Sequence, residues 1–269
     1  VTIDPDEFPL VYFGSRDSFF RIVSFDGSSP RELWKLSADA VQPTLWNNDW
    51  EGPGVVVDDS LFVGGENSNL HIVKLNRGYD AAGMVTVAPE LIFHAPGWDD
   101  ELLRNLGDSN VSIETAITIV GDTLWFGNSG GLVQAWDIAG LKQGIEPTRV
   151  LRFWTGDDVD ASVVIDDEGF AYVGVELERG FSRAVELGQL IKLDPTKPDD
   201  PVVWSRNLTV RVPDGIWATP ALHNDVLYVP TSEGNLHAID RRTGETRWQV
   251  KLAGPVWSSP VVVDDVLIQ

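Results

Sequence analysis

The 269-residue chain contains no cysteine, and its basic residues are few. Without cysteine it can form no disulfide, no thiolate zinc or iron–sulfur site and no cysteine nucleophile. The 20 Lys and Arg residues stand against 41 Asp and Glu residues, which gives a formal net charge of −21. Nucleic-acid binders collect Lys and Arg on one face, so this balance argues against a nucleic-acid partner. No apolar run is long enough to cross a bilayer, and the sequence therefore predicts no transmembrane segment.

The chain is rich in tryptophan, with 11 residues, and one sequence pattern occurs in it five times. In each copy two β-branched runs flank a short polar turn that contains Asp, which is typical of a β-hairpin. The copies lie at 55–63, 117–126, 163–173, 221–229 and 261–268. A Gly-containing turn, a third strand ending in Asp or Asn, and a fourth strand with an aromatic residue follow the hairpin. The shortest spacing between copies, from Asp225 to Asp265, is 265 − 225 = 40 residues.

Four short strands in about 40 residues predict an all-β fold, a β-propeller of four-stranded antiparallel blades. A β-sandwich is the alternative, but a sandwich has no reason to repeat at this period. We expect one propeller domain over 1–269 that is partial at both ends, with about four complete blades and two partial ones. The repeat units are predicted at approximately 8–36, 45–95, 110–154, 157–206, 214–252 and 254–269. The parent propeller is expected to have roughly six to eight blades, and closure of this chain as a five-bladed ring is the alternative.

One unit carries a more specific signature. The segment 238–248, Ala-Ile-Asp-Arg-Arg-Thr-Gly-Glu-Thr-Arg-Trp, resembles the tryptophan-docking motif of the pyrroloquinoline-quinone (PQQ) repeat. In this motif the Asp accepts backbone N–H bonds in a turn, the Gly takes a positive φ, and the Trp packs between sheets. Other units keep the pattern more loosely. The positions predicted to be structural in the repeat are Asp26, Trp34, Asp137, Trp154, Asp194, Trp204, Asp240, Thr243, Gly244 and Trp248.

The resemblance implies one of two kinds of protein. Quinoprotein dehydrogenases of alcohols or sugars hold PQQ and Ca²⁺ beside a catalytic Asp, whereas BamB-like propellers bind protein partners and carry no cofactor. Many of the dehydrogenases cover the quinone with two adjacent cysteines, which this chain lacks. The resemblance therefore favours a non-catalytic, extracytoplasmic, bacterial protein without a cofactor, and the PQQ- and Ca-dependent enzyme remains the alternative.

A candidate ligand-binding site follows from aligning the copies by the turn Asp. The column eight residues earlier holds Glu51, Glu114, Val159, Trp217 and Trp257, and Asp160 falls in the next column. In a propeller this stretch leads into the innermost strand, so the acids and Trp residues are predicted to surround the mouth of the axial channel. Such a mouth could take a cation, a sugar or a basic peptide. The alternative is that the Trp residues pack between blades and the acids are solvated.

Acidic loops supply further candidates, since loops carry function more often than strands do. Two aromatic-acidic loops are candidates for recognising a glycan or a basic protein surface, through Trp46, Asp49, Trp50, Trp98 and Asp99. The carboxylates of Asp157, Asp158 and Asp160 are weak candidates for a Ca²⁺ site, because they lack the loop spacing of an EF-hand. A short helix is predicted within 97–107. We expect the partner to be a protein or a glycan with a basic or polar surface.

Overall fold

A computed structural model describes residues 1–209 and 211–269 of the chain. The described residues form two compact units, each considered by itself below. Unit 1 comprises residues 1–117 and 144–147, and unit 2 comprises residues 118–143 and 148–269.

Unit 1 begins with a complete four-stranded antiparallel sheet, sheet 1. Its strands, in spatial order, are β1 (Thr2–Ile3), β2 (Leu10–Gly14), β3 (Phe19–Ser24) and β4 (Arg31–Ser37). The sequence pattern predicts that this repeat begins at about residue 8 and contains only the latter part of a blade. The structure adds the missing first strand, because Thr2 and Ile3 pair with Tyr12 and Val11. A strand of two residues is too short to give an alternating pattern.

Sheet 2 completes unit 1 and contains a short inserted hairpin. The strands are β5 (Val55–Val57), β6 (Ser60–Gly64), β7 (Asn69–Lys74), β8 (Gly78–Tyr79), β9 (Val85–Thr86) and β10 (Glu90–Pro96). Strands β5, β6, β7 and β10 form the sheet in that order, and β8 pairs only with β9. The predicted helix is confirmed as α1 (Asp100–Leu106), capped by the Asp99 side chain at its start and by Gly107, at φ +74°, at its end. These caps satisfy backbone groups that the helix leaves unpaired.

Among its described residues, unit 2 contains three complete sheets of the same kind, a two-stranded sheet and a small extra strand pair. Sheet 3 is formed by β11 (Thr118–Val120), β12 (Thr123–Phe126), β13 (Leu132–Asp137) and β14 (Thr148–Trp154). Sheet 4 is formed by β15 (Val164–Ile165), β16 (Ala171–Gly174), β18 (Leu190–Leu193) and β19 (Val202–Arg206). Between β16 and β18 in sequence come β17 (Glu176–Leu177) and the helix α2 (Ser182–Leu187). Strand β17 pairs with β20 (Asp214–Gly215), which follows β19.

A third complete sheet of unit 2 and the two-stranded sheet lie at the end of the chain. Sheet 5 has β21 (Ala221–His223), β22 (Val226–Thr231), β23 (Asn235–Asp240) and β24 (Thr246–Lys251), and sheet 6 has β25 (Val261–Val263) and β26 (Val266–Ile268). Among the described residues there are thus five four-stranded sheets, one more than the sequence analysis expects. Four hairpin turns use a left-handed residue, at Asp58, Gly121, Asn224 and Asp264, as tight two-residue turns require. In sheet 4 the turn is longer and runs from Asp166 to Phe170.

The end of the second strand is tightly packed in four of the sheets. Glycine stands at this place in four sheets, at Gly14, Gly64, Gly127 and Gly174. A Cβ at Gly64 would lie 2.2 Å from Ile113 Cγ2, and one at Gly127 would lie 2.3 Å from Val159 Cγ1. The residue that leads into the next sheet therefore fills the space that a side chain would need, and only glycine permits this packing.

The tryptophan-docking geometry is clearest between sheets 4 and 5. The Trp204 ring covers Gly244, whose Cβ would lie 2.8 Å from it, and its indole N–H donates to the Arg241 carbonyl at 3.2 Å. Asp240 accepts from the backbone N–H groups of Arg242 and Thr243 at 2.9 and 3.0 Å. The motif residues thus hold a turn of one sheet against the aromatic face of its neighbour.

A charged contact joins sheets 1 and 2. Arg77 follows the third strand of sheet 2, and its guanidinium lies 2.7 Å from Asp4 of sheet 1 and 3.0 Å from Asp59 in its own hairpin turn. Tyr12 donates its hydroxyl hydrogen to the same Asp4, whose side chain is fully buried. We call the set Asp4, Tyr12, Asp59 and Arg77 an arginine clamp.

Sheets 4 and 5 of unit 2 repeat the clamp in the same register. Arg241 follows the third strand of sheet 5 and reaches Asp166 of sheet 4 at 3.5 Å and Asp225 of its own turn at 3.1 Å. Tyr172 donates to Asp166 at 2.8 Å, as Tyr12 donates to Asp4. The turn Asp of the repeat, Asp59 or Asp225, therefore has a second role besides closing a hairpin. It holds an arginine in the position from which the guanidinium contacts the preceding sheet.

Candidate functional site

Each sheet after the first is preceded by a short lead-in segment, and the predicted site residues lie there. Glu51, Glu114, Asp160, Trp217 and Trp257 each stand four residues before the first strand of a sheet. These five residues occupy equivalent positions in the repeat. The alignment made from the sequence had assigned this position to Val159 instead of Asp160.

The correction has a physical reason. Val159 is 1% exposed and packs on Gly127, as Ile113 packs on Gly64. Because the turn in sheet 4 is longer, its Asp167 is offset by one position from the turn Asp of the other copies. Counting eight residues back from Asp167 therefore gives Val159 instead of the equivalent residue, Asp160. The buried residue and the more accessible one that follows it recur in every lead-in segment of the described chain.

In unit 1 the lead-in residues form an acidic cluster around Glu66. Burial, together with the negative charges of Glu114, Glu51 and Asp49, raises the pKa of Glu66 to about 7. A hydrogen bond from the Asn47 amide at 2.9 Å partly opposes this shift. Glu66 therefore holds a proton for much of the time near neutral pH, because a further buried negative charge at this place is costly.

In unit 2 three carboxylates converge on a second acidic cluster. Ligand oxygens of Asp158, Asp160 and Glu176 all lie within 4.8 Å of one another. Burial, then the charges of Asp160 and Glu178, raises the pKa of Glu176 to about 8, while a hydrogen bond from the Trp217 indole acts in the opposite direction. Burial and the neighbouring negative charges therefore both favour the protonated form of Glu176.

Two exposed indole rings lie together, and one of them, Trp217, hydrogen-bonds to Glu176 of this second cluster. Trp217 and Trp257 are 39% and 63% exposed, and their ring centroids lie 5.8 Å apart at an angle of 36°. Indole is the strongest ring for cation–π contacts. Trp217, Trp257, Asp160 and Glu176 are called the Trp–acid site below.

Sequence reasoning missed Glu176 and chose Asp157 in its place as a metal-ligand candidate. The Asp157 carboxylate accepts from the backbone N–H groups of Arg179 and Gly180, so it fixes the loop after β17. A signal for Glu176 exists in the repeat, because it follows Gly174 by two residues just as Glu66 follows Gly64. The oxygens of Asp158, Asp160 and Glu176 are of the kind that Ca²⁺ prefers.

The two aromatic loops divide into exposed and structural residues. Trp46 is 57% exposed, whereas Trp50 is 2% exposed and packs in the core against Gly14 and His71. The interpretation of Trp50 as a recognition residue is therefore wrong, since its ring offers no free face. Asp99 accepts from the Leu102 N–H at 3.0 Å as the cap of α1.

The repeated four-stranded antiparallel sheets with a common hairpin register define the class of the protein, a β-propeller. Residues 188–269 match the family model described as "Outer membrane protein assembly factor BamB". This partial match, together with the fold, makes the chain similar to the PQQ-repeat, BamB-like β-propellers.

Two relatives extend this finding. A protein named "Outer membrane protein assembly factor BamB" from Alteromonas naphthalenivorans is 27% identical over 96 residues, which cover 30% of this chain and 22% of that protein. The crystal structure of BamB from Moraxella catarrhalis has a TM-score of 0.57 at 11% identity, covering 96% of this chain and 63% of that chain. This chain thus spans less than two thirds of either relative. In the described residues, neither helix has the length and apolar character that a membrane crossing requires.

Proposed function

We propose that this chain belongs to a non-catalytic, extracytoplasmic bacterial propeller that binds a protein partner during the assembly of outer membrane proteins. The match of residues 188–269 to the BamB family carries the proposal, because it covers the segment that holds Trp217 and Trp257. The proposed role needs no cofactor.

The geometry gives physical support to a binding role. Stacked sheets hold their connecting segments rigidly, so side chains on those segments lose little conformational entropy when a partner binds. The Trp–acid site combines aromatic area with negative charge, which suits a partner that presents basic residues. The net charge of −21 would also accelerate the capture of such a partner at low ionic strength.

The test uses the immobilised protein and purified outer membrane protein assembly components of the same organism. We expect one component to bind with an association rate that falls as NaCl is raised from 50 to 300 mM. The double variant Trp217→Ala/Trp257→Ala should weaken this binding by about ten-fold or more, as loss of central aromatic anchors does. Trp248→Ala, in the fourth strand of sheet 5, is the matched control and should bind normally. Absence of binding by every component would overturn the proposal.

The enzyme alternative makes a different prediction for the same protein. A quinoprotein dehydrogenase would retain quinone absorbance after incubation with PQQ and Ca²⁺ followed by desalting. It would also reduce an artificial electron acceptor when supplied with alcohols or aldose sugars. We expect neither result, and observing both would replace the binding role with catalysis.

A further inference from the structure

A cavity of about 510 Å³ lies between sheets 3 and 4 of unit 2, and we call it the sheet 3–4 cavity. Its apolar lining includes Val120, Trp125 and Val150 of sheet 3, and Phe170 and Pro195 of sheet 4. We propose that it receives a tryptophan side chain of the protein partner, flanked in the partner by basic residues. This inference rests on the proposed binding function and names a contact separate from the Trp–acid site.

The corresponding cavity between sheets 4 and 5 has the opposite chemistry. It measures about 450 Å³, and its lining includes Asp166, Asp167, Asp225 and Arg241, the charged groups of the arginine clamp and its turns. Apolar surface that entered there would separate charged groups from one another and from water, which is costly. The two cavities occupy the same place in the repeat, so their difference comes from the side chains.

Three substitutions in the repeat account for this difference. In the sheet 3–4 cavity, Val120 stands in place of Asp166, Trp125 in place of Tyr172, and Pro195 in place of Arg241. Strand pairing fixes the first two equivalences, because in each sheet the aromatic residue lies opposite the residue two positions before the clamp acid or its replacement. The third follows because Pro195 comes directly after Asp194, the equivalent of Asp240. The three polar members of the clamp are thus replaced by largely apolar side chains.

The neighbouring junction shows which side chain suits this place. Between sheets 4 and 5, Trp204 covers the turn after the third strand of sheet 5, and its indole N–H donates to the Arg241 carbonyl at 3.2 Å. Its ring also packs on Tyr172, with 5.9 Å between the ring centroids. In sheet 3 the position of Trp204 is occupied by Leu151, which has neither the area nor the N–H of an indole. An indole supplied by a partner brings both, and Trp125 is its aromatic neighbour in the cavity.

Charge complementarity selects the residues that flank the tryptophan. The charged residues in the cavity lining, Glu168 and Asp194, are both acidic, and each contacts a cation of this chain, at 3.4 and 2.9 Å. Glu168 is nevertheless 50% exposed, and the chain as a whole carries a net charge of −21. Lys or Arg beside the partner's tryptophan is therefore attracted, whereas acidic residues there are repelled.

The experiment uses the peptide N-acetyl-Lys-Trp-Lys-amide and two analogues, one with Ala in place of Trp and one with Glu in place of both Lys. Binding is followed at pH 7 by NMR titration of the ¹⁵N-labelled protein, through the indole signal of Trp125, which Trp125→Phe identifies. The Lys-Trp-Lys peptide should bind about ten-fold or more tightly than the alanine analogue, as expected for an aromatic anchor, and several-fold more tightly than the Glu analogue.

Variants of the cavity test its location. The charge-neutral pair Val120→Asp/Pro195→Arg introduces the acid and the arginine of the clamp, and it should weaken binding of the Lys-Trp-Lys peptide by about ten-fold or more. Val150→Asn, at a residue that is 44% exposed, should weaken it several-fold without adding a charge. The matched control is Val203→Asn, because Val203 is 45% exposed and does not line the cavity. It should leave the affinity unchanged, and circular dichroism should show that every variant is folded.

Several results would contradict the inference. Equal affinity for the alanine analogue would exclude recognition of the ring, and equal affinity for the Glu analogue would exclude the basic flanks. If Val150→Asn alters binding no more than Val203→Asn does, the peptide binds elsewhere. Self-association of the protein that Val120→Asp/Pro195→Arg removes would make a second copy of this chain the occupant, and binding of free indole as tight as that of the peptide would make it a small apolar molecule.

The outcome is separable from that of the proposed function. Because the peptides are used without any assembly component, their failure to bind leaves the binding of a component as a separate result. If a component binds but is insensitive to Val120→Asp/Pro195→Arg, the function stands and the tryptophan site does not.

Discussion

Replacing Arg241 by Met should destabilise unit 2, because it removes one partner of a buried ion pair. The guanidinium is 6% exposed and faces Asp166, which is 1% exposed, at 3.5 Å. Removing one partner of a buried ion pair leaves an uncompensated charge and typically costs about 3–5 kcal/mol. Asp166 keeps a hydrogen bond from Tyr172 and the Lys192 ammonium at 3.9 Å, so the lower end of that range applies.

The remaining contacts of Arg241 add little to this cost. Asp167, Glu168 and Asp225 are 78%, 50% and 45% exposed, and ion pairs so open to solvent contribute about 0–1 kcal/mol each. We therefore expect a loss of about 3 kcal/mol for Arg241→Met. Removing both charges, in Arg241→Met/Asp166→Asn, should cost about 2 kcal/mol less than the sum of the single variants, because no buried charge is left alone.

The assay is urea unfolding followed by tryptophan fluorescence and far-ultraviolet circular dichroism, with coincident transitions as the test of two-state behaviour. The matched control is Arg242→Met, because this neighbouring guanidinium is 65% exposed and contacts the same Asp225 at 3.5 Å. It should lose less than about 0.5 kcal/mol. A loss below about 1 kcal/mol for Arg241→Met, or one that 0.5 M NaCl removes, would refute the reasoning, since a buried pair is poorly screened.

Three further predictions concern the packing and the titration of unit 1. Gly64→Ala should destabilise the protein by about 2–3 kcal/mol in urea unfolding, because its Cβ would lie 2.2 Å from Ile113 Cγ2, and Ile113→Ala should rescue part of the loss. Glu66→Gln should stabilise the protein at pH 8 by about 1–3 kcal/mol and have little effect at pH 4.5, because a carboxyl whose pKa is raised to about 7 destabilises the fold once it ionises. The free energy of unfolding should fall between pH 6.5 and 4 in part through His71, because burial lowers its pKa to about 4 and the unfolded chain binds the proton first. In a series of urea unfolding midpoints against pH, His71→Gln should reduce the dependence of stability on pH.

Sequence periodicity was sufficient to predict the hairpins, because each is a local pattern within about ten residues. The runs at Val55–Val57 and Ser60–Gly64, for example, are strands in the structure, and the same holds for the four other copies. The docking motif was also recognisable, since Asp240, Gly244 and Trp248 lie within nine residues, 248 − 240 + 1 = 9.

What could not be predicted depends on contacts between distant segments. The arginine clamp of unit 1 pairs residues 73 positions apart, Asp4 with Arg77, and no local pattern marks the pair. Trp50 was misassigned because burial of a loop aromatic is decided by the glycine of another strand. Glu176 was missed because its significance arises only when the fold brings it beside Asp158 and Asp160.

The clamps also have a consequence for the order in which the sheets can close. The buried carboxylate of Asp4 in sheet 1 is neutralised by Arg77, which follows the third strand of sheet 2 and lies 73 residues further along the chain. Sheet 1 closed by itself would bury an acid without its base, so it should stay open until sheet 2 has formed and supplies the counter-charge.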